Sequence, residues 1–158
     1  MGSAENGAGT IRGHAAVGWA GYLGVAPLLL CLAGVGLLPG YAARELAQRA
    51  AIAWGAVLLG CAGAVHFGLA LAGRLTWQRA RIGAALLPAL AGAAAVVLGG
   101  QRALALLVVG FGGFWLYEHR ALGVQLPAAY LDLRRQLTLA TCMLLALTMF
   151  ASDAAGLS

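Results

Sequence analysis

Five long runs of apolar residues, each almost free of charge, recur along this chain. They cover approximately residues 15–38, 51–72, 82–98, 103–117 and 137–151. Uncharged apolar runs of about 18 residues or more are typical of transmembrane helices. We therefore expect an all-α fold, namely a polytopic transmembrane helical bundle of about five spans.

The composition argues against an ordinary soluble domain. Charged residues make up 9% of the chain and hydrophobic residues 62%, whereas about a quarter of the residues in a soluble domain are charged. The net charge of +5 does not by itself predict nucleic-acid binding, because basic residues are expected at the cytoplasmic ends of spans. The partners we expect are the lipid bilayer and other membrane proteins, or a second copy of the chain.

The distribution of arginine predicts the orientation of the spans. On the predicted path, seven arginines share one side of the membrane with the N-terminus and three lie on the other side. The first set is Arg12, Arg74, Arg79, Arg81, Arg120, Arg134 and Arg135, and the second is Arg44, Arg49 and Arg102. Because short cytoplasmic loops carry an excess of basic residues, we expect the N-terminus inside and the C-terminus outside.

The domain organisation follows from the same pattern. We expect residues 1–14 to form a disordered cytoplasmic tail, residues 15–152 a single five-span domain, and residues 153–158 a short external tail. The third, fourth and fifth runs are short for a hydrocarbon layer of roughly 30 Å. They could still cross it if arginine side chains snorkel to the membrane surface or if the bilayer is thinned locally. A re-entrant hairpin of the third and fourth runs is the alternative, and it leaves three spans.

The second run contains a repeat of small residues. Ala56, Gly60, Ala64 and Gly68 recur every four residues, and Gly63 lies beside them. Such a ladder lets a neighbouring helix approach closely in a membrane. We therefore predict that these residues pack against another helix and that the second span is the central one.

His66 is the one ionisable residue placed well inside a predicted span. It lies eight residues before Arg74, which is about 12 Å from the predicted cytoplasmic end. Ionisable groups at such depth are rare and suggest function. The competing and preferred interpretation is a neutral histidine that bridges two helices through hydrogen bonds.

Partners for His66 are not evident in the sequence. His14 and His119 are placed about two helical turns away, which argues against haem held by two histidines of one chain. A proton relay needs an acid at the same depth. Glu118, Asp132 and Asp153 are all placed at span ends, so we expect no such acid.

Catalytic, metal and cofactor sites are not predicted. The three cysteines, Cys31, Cys61 and Cys142, lie within apolar runs without a Cys-x-x-Cys spacing, and they are interpreted as small apolar fillers. A set of tryptophan and charged residues near the ends of the runs is expected at the membrane surface. They are Trp19, Trp77, Arg74, Arg79, Arg81, Asp132, Arg134 and Arg135, with Asp132 pairing with Arg134 or Arg135. The segment Glu118-His119-Arg120 is expected to anchor the end of the fourth span.

Several segments of the chain resemble a known family in the order in which they occur. They are residues 18–24 followed by Pro27, residues 55–60, residues 63–68, residues 86–90 and residues 126–134 followed by Leu137 and Thr138. Together they resemble the domain of unknown function 3429 family, whose eukaryotic relatives include transmembrane protein 69. Phe67 stands where the family pattern has a tryptophan. The resemblance implies a small five-span protein of the bacterial inner membrane, or of the mitochondrial inner membrane in eukaryotes. It implies no activity.

Three hypotheses about function follow. The leading one is a non-enzymatic accessory or assembly subunit that acts through helix–helix association. The alternative is a transporter or channel for a small solute or protons, formed by a homo-oligomer with His66 lining the path. A weaker alternative is haem or metal binding through His66 in a dimer.

Overall fold

The structure is a computed structural model that describes the backbone of residues 3–73, 79–122 and 128–157. Within these ranges it describes all side chains except those of residues 3–18, 20, 79–82 and 122. The described part of the chain is all-helical. Its five helices are α1 (Ser3–Leu37), α2 (Tyr41–Leu71), α3 (Arg79–Leu98), α4 (Gly100–Leu122) and α5 (Ala128–Ala154).

The helices are longer than the apolar runs from which we predicted them. The shortest, α3, has 20 residues, which corresponds to about 30 Å at 1.5 Å per residue. Two helices, α2 and α5, are long and apolar enough to be candidate membrane spans. Shorter apolar stretches occur within α1 and α3, at Gly21–Leu37 and Gly83–Leu98.

The N-terminal tail differs from the prediction. Residues 3–14, expected to be disordered, form the first turns of α1. No proline precedes Pro27 in this helix, so nothing in the early segment removes a backbone donor or blocks helix continuation from the apolar run.

The C-terminal segment packs back onto the bundle. The backbone N–H of Leu157 donates to the carbonyl of Ser152 at 2.9 Å, and Gly156 has a φ of 72°. A positive φ at the residue after the last helical turn, with a backbone bond back into the helix, is a common way for helices to end, and glycine is favoured at this position. Leu157 is buried, and its carbonyl accepts a hydrogen bond from the Gln48 side chain at 3.3 Å.

The connection between α3 and α4 is a break of one residue. Gly99 lies between the helices, and both Gly99 and Gly100 have positive φ, at 64° and 55°. Most other residues avoid this backbone region. The break therefore lies between the third and fourth apolar runs, and α4 already begins at Gly100.

The second helix is central, as predicted, since α2 contacts each of the other four helices. Its inward face carries Ile52, Gly55 and Leu59. These residues join a core that includes the fully buried Leu107 and Leu145 from α4 and α5. The aromatic residue beside this face, Trp54, donates its indole N–H to the carbonyl of Gly24 at 2.8 Å and so ties α2 to α1.

The small-residue ladder of α2 is only partly a packing face within the chain. Gly63 abuts the backbone carbonyl of Ala85, and Ala56 lies against Gly92, so α2 and α3 approach closely there. In contrast, Gly60 and Gly68 have nothing within 4 Å of the position a Cβ would take, and Ala64 is exposed. The prediction is corrected for these three residues, because the face that packs on α3 is rotated away from them.

Candidate functional site: a buried charge cluster

Glu118 is buried in the last turns of α4. Only 1% of the residue is exposed, so the prediction that it anchors the helix at the membrane surface is wrong. The reason is the length of α4, which continues to Leu122 and leaves Glu118 inside the helix. Glu118 falls on the buried face of α4 together with Phe111 and Phe114, at helical spacing.

Two residues of α5 bind the Glu118 carboxylate. The guanidinium Nε of Arg134 lies 2.9 Å from Oε2, and the hydroxyl of Tyr130 donates to Oε1 at 3.4 Å. Tyr130 and Arg134 are four residues apart and so project from the same face of α5. Charge compensation by Arg134 is what makes a buried carboxylate tolerable, since an unpaired one is strongly unfavourable.

The third side of the carboxylate faces His66 from α2. His66 is buried, and its Nε2 lies 3.6 Å from Oε1 of Glu118. The expectation that no acid lies at the level of His66 is therefore wrong. Neither ring nitrogen of His66 makes a hydrogen bond in the described part of the chain, so the predicted hydrogen-bonded bridge between helices is not what the structure has there.

The Phe114 ring contacts two of the residues that surround the Glu118 carboxylate. It meets the His66 ring edge-on, with centroids 5.1 Å apart, and the guanidinium carbon of Arg134 lies 5.8 Å from its centroid. Such aromatic and cation–π contacts are each worth about 1 kcal/mol. We name Glu118, His66, Arg134 and Tyr130 the charge cluster. It joins α2, α4 and α5 at the end of the bundle where α4 ends and α5 begins.

The other predicted site residues lie apart from the charge cluster. Asp132 pairs with Arg135 at 3.4 Å on the surface, with side chains 65% and 57% exposed, which is one of the two pairings that we considered. Trp19 is exposed. Arg74 and Trp77 lie outside the described residues, as do the side chains of Arg79 and Arg81, whose backbone opens α3.

A cofactor bound at Nε2 of His66 would have to compete with Glu118 for this nitrogen. Among the described residues, no three His, Cys, Asp or Glu side chains converge as metal ligands. The Nε2 of His66 faces Glu118, and its ring packs on Phe114. An axial haem bond at this nitrogen would require displacement of the buried carboxylate.

The comparisons with known proteins give one match. The family model "Protein of unknown function (DUF3429)" covers residues 14–150. The chain belongs to the DUF3429 family. The resemblance found in the sequence is therefore confirmed, and all four residues of the charge cluster lie within the matched region of this DUF3429 protein. No curated protein matches the chain, and no solved structure does.

Proposed function

We propose that this DUF3429 protein is a multi-pass inner-membrane protein with five spans, the N-terminus inside and the C-terminus outside, and that it acts as an accessory or assembly subunit. Its activity, on this proposal, is association with other membrane proteins through helix faces and not catalysis. The bacterial cytoplasmic membrane is the proposed location, with the mitochondrial inner membrane as its eukaryotic counterpart.

The outer surface of the bundle supports a membrane location. Large apolar side chains are exposed on every helix, among them Leu30, Leu71, Val97, Val109 and Met143. A soluble monomer rarely exposes an apolar surface this extensive. The proposal of five crossings uses the whole length of α3, which has 20 residues, or about 30 Å. The apolar stretch of α3 is only Gly83–Leu98, so a crossing by this helix needs a thinned bilayer.

One side of α2 supports the proposal of association, and we name it the open face. It consists of residues that recur at three- and four-residue spacing on the side of α2 away from the core, namely Val57, Gly60, Cys61, Ala64 and Gly68. Gly60 and Gly68 have nothing opposite them in the described part of the chain. Small residues on a lipid-exposed face favour close helix contact in membranes, where apolar burial alone gives no drive.

The test compares bulky substitutions at open glycines. Gly60→Ile and Gly68→Ile enter open space, so they leave the fold intact, whereas Gly36→Ile provides the control at an equally open position on α1. We expect the two α2 variants to lose partners that crosslink to and co-purify with the wild-type protein in a mild detergent. Retention of all partners by both variants, or a free monomer in the wild type, contradicts the proposal.

The orientation needs a separate experiment. Reporter domains that are active only in the cytoplasm, or only outside it, are fused in turn to the two termini. We expect activity of the cytoplasmic reporter at the N-terminus and of the external reporter at the C-terminus. Reporters that agree for both termini would rule out an odd number of spans.

A second candidate function is a path for protons or a small solute through a homo-oligomer. The observation that favours it is the buried contact between His66 and Glu118 at 3.6 Å, because imidazole and carboxylate are both groups that can carry a proton. Flux into proteoliposomes should fall in His66→Leu and Glu118→Gln and persist in Arg135→Gln, a control at an exposed residue. Undiminished flux in His66→Leu removes this candidate.

A further inference from the structure

His66 is the last buried residue of α2. It lies five residues before this helix ends at Leu71, which is about 8 Å along the axis, and residues 67–71 are half-buried or exposed. Its partners are also close to helix ends, since Glu118 lies four residues before α4 ends and Arg134 six residues after α5 begins. The contact of His66 with Glu118 and Phe114 therefore fastens the end of α2 to α4.

The charges around His66 balance while its imidazole is neutral. Glu118 and Arg134 form an ion pair at 2.9 Å, with side chains 1% and 17% exposed. Tyr130 adds a hydroxyl that donates to the same carboxylate. The described side chains of α1 and α3 carry no charge, and those of Arg79 and Arg81 at the start of α3 lie outside the described residues.

A proton on His66 disturbs this balance. Imidazole takes up a proton before a carboxylate does, because the ordinary midpoints are about pH 6.5 for histidine and about pH 4.3 for glutamate. The new positive charge is attracted by Glu118 and repelled by Arg134, and these two effects oppose each other because the two residues form one ion pair. What remains is the cost of a buried charge and of an Nδ1–H group that has no acceptor among the described residues.

We propose that His66 is a pH switch, which holds the end of α2 against α4 and α5 while it is neutral and releases it when it is protonated. Release lets water reach the imidazolium over the short distance from the end of α2 and hydrate both N–H groups. The opening is local, because the core residues Ile52 and Leu59 lie about two turns or more away along α2. The inference goes beyond both functions proposed above, since it needs neither a partner protein nor a flux of protons.

Hydrogen exchange of the full chain in micelles of a neutral maltoside detergent tests the switch. Exchange is followed by mass spectrometry at about pH 7.5 and about pH 5.5, on either side of the ordinary histidine midpoint, with times scaled for the intrinsic rate at each pH. We expect the opening constant of residues 60–71 to rise about tenfold at the lower pH, as the uptake of one proton requires. We call this rise the acid step. Residues 50–59 should exchange at the same scaled rate at both pH values.

Substitutions of two histidines assign the acid step to a residue. His66→Phe keeps an aromatic ring against Phe114 and cannot take up a proton, so it should lack the acid step. His119→Gln is the matched control, because His119 is exposed and follows Glu118 directly on α4, and it should keep the full acid step. His66→Gln should also lack it, and this second variant keeps the test decisive if His66→Phe does not fold.

Four results overturn the inference. They are unchanged or slower exchange of residues 60–71 in acid in the wild type, an equal acceleration of residues 50–59, an acid step of wild-type size in the His66 variants, and loss of the acid step in His119→Gln. The measurement involves no partner protein and no proton gradient, so its failure leaves the tests of both proposed functions unaffected.

Discussion

Arg134 of α5 binds the carboxylate of Glu118 on α4 at 2.9 Å, across the bundle interior and with the acid almost wholly removed from solvent. Its sequence neighbour, Arg135, points to the surface and pairs with Asp132. Two adjacent arginines therefore have different roles, because successive residues of a helix are about 100° apart around its axis. Arg134 fixes the relative positions of α4 and α5, and Arg135 lies on the surface at the end of the bundle.

Glu118→Gln is expected to destabilise the protein by about 3 kcal/mol, because it leaves the guanidinium of Arg134 without its counterion in a buried place. Thermal or denaturant unfolding in detergent measures the effect. Asp132→Asn breaks an exposed ion pair and is the matched control, with an expected loss below about 1 kcal/mol. Similar losses in the two variants would falsify the assignment of Glu118 as the structural acid.

The charge cluster was only half predictable from the sequence. His66 was identified, since an ionisable residue between apolar ones stands out. Glu118 was missed because the apolar run ends at Tyr117, and the first charged residue after a run is usually interfacial. The signal that could have found it is the spacing of Leu104, Leu107, Phe111 and Phe114, which continues at the next step to Glu118.

His66→Phe is expected to change the free energy of unfolding by less than about 1 kcal/mol. The ring nitrogens of His66 have no hydrogen-bond partner in the described part of the chain, and the ring packs edge-on against Phe114. Replacement of a buried polar group without a partner by an apolar group of similar shape is close to neutral. A loss above about 3 kcal/mol would show that His66 is charged and paired with Glu118.

Trp54→Phe is expected to destabilise the contact between α1 and α2 by about 1 kcal/mol. The variant removes the indole N–H that donates to the Gly24 carbonyl at 2.8 Å, while this carbonyl, inside α1, can still accept the helical backbone bond. Denaturant unfolding gives the magnitude. Trp115→Phe is the control, because no hydrogen bond of the Trp115 indole occurs in the described structure and the ring stacks on the exposed His119. If both substitutions lowered the free energy of unfolding equally, the cause would be the smaller aromatic surface of phenylalanine and not the lost hydrogen bond.

The ladder of α2 shows a different limit of sequence reasoning. The count of small residues predicted the importance of this helix, and the structure confirms its central position. The choice of face was not predictable, because alanine and glycine occur on all sides of α2. The bulky core residues Ile52 and Leu59 set its rotation, and this places Gly63 against α3 while Gly60 and Gly68 face outward.

A pair of glycine substitutions tests this rotation. A Cβ at Gly63 meets the backbone carbonyl of Ala85, which cannot move aside as a flexible side chain can. We therefore expect Gly63→Ala to separate α2 from α3 and to destabilise the protein by about 1–3 kcal/mol, as overpacking does. Gly60→Ala meets open space three residues away on the same helix. It should be neutral or slightly stabilising, because alanine is the better helix former by about 1 kcal/mol. Unfolding in detergent compares the two variants directly, and a greater loss in Gly60→Ala than in Gly63→Ala would mean that α2 presents the opposite face to α3.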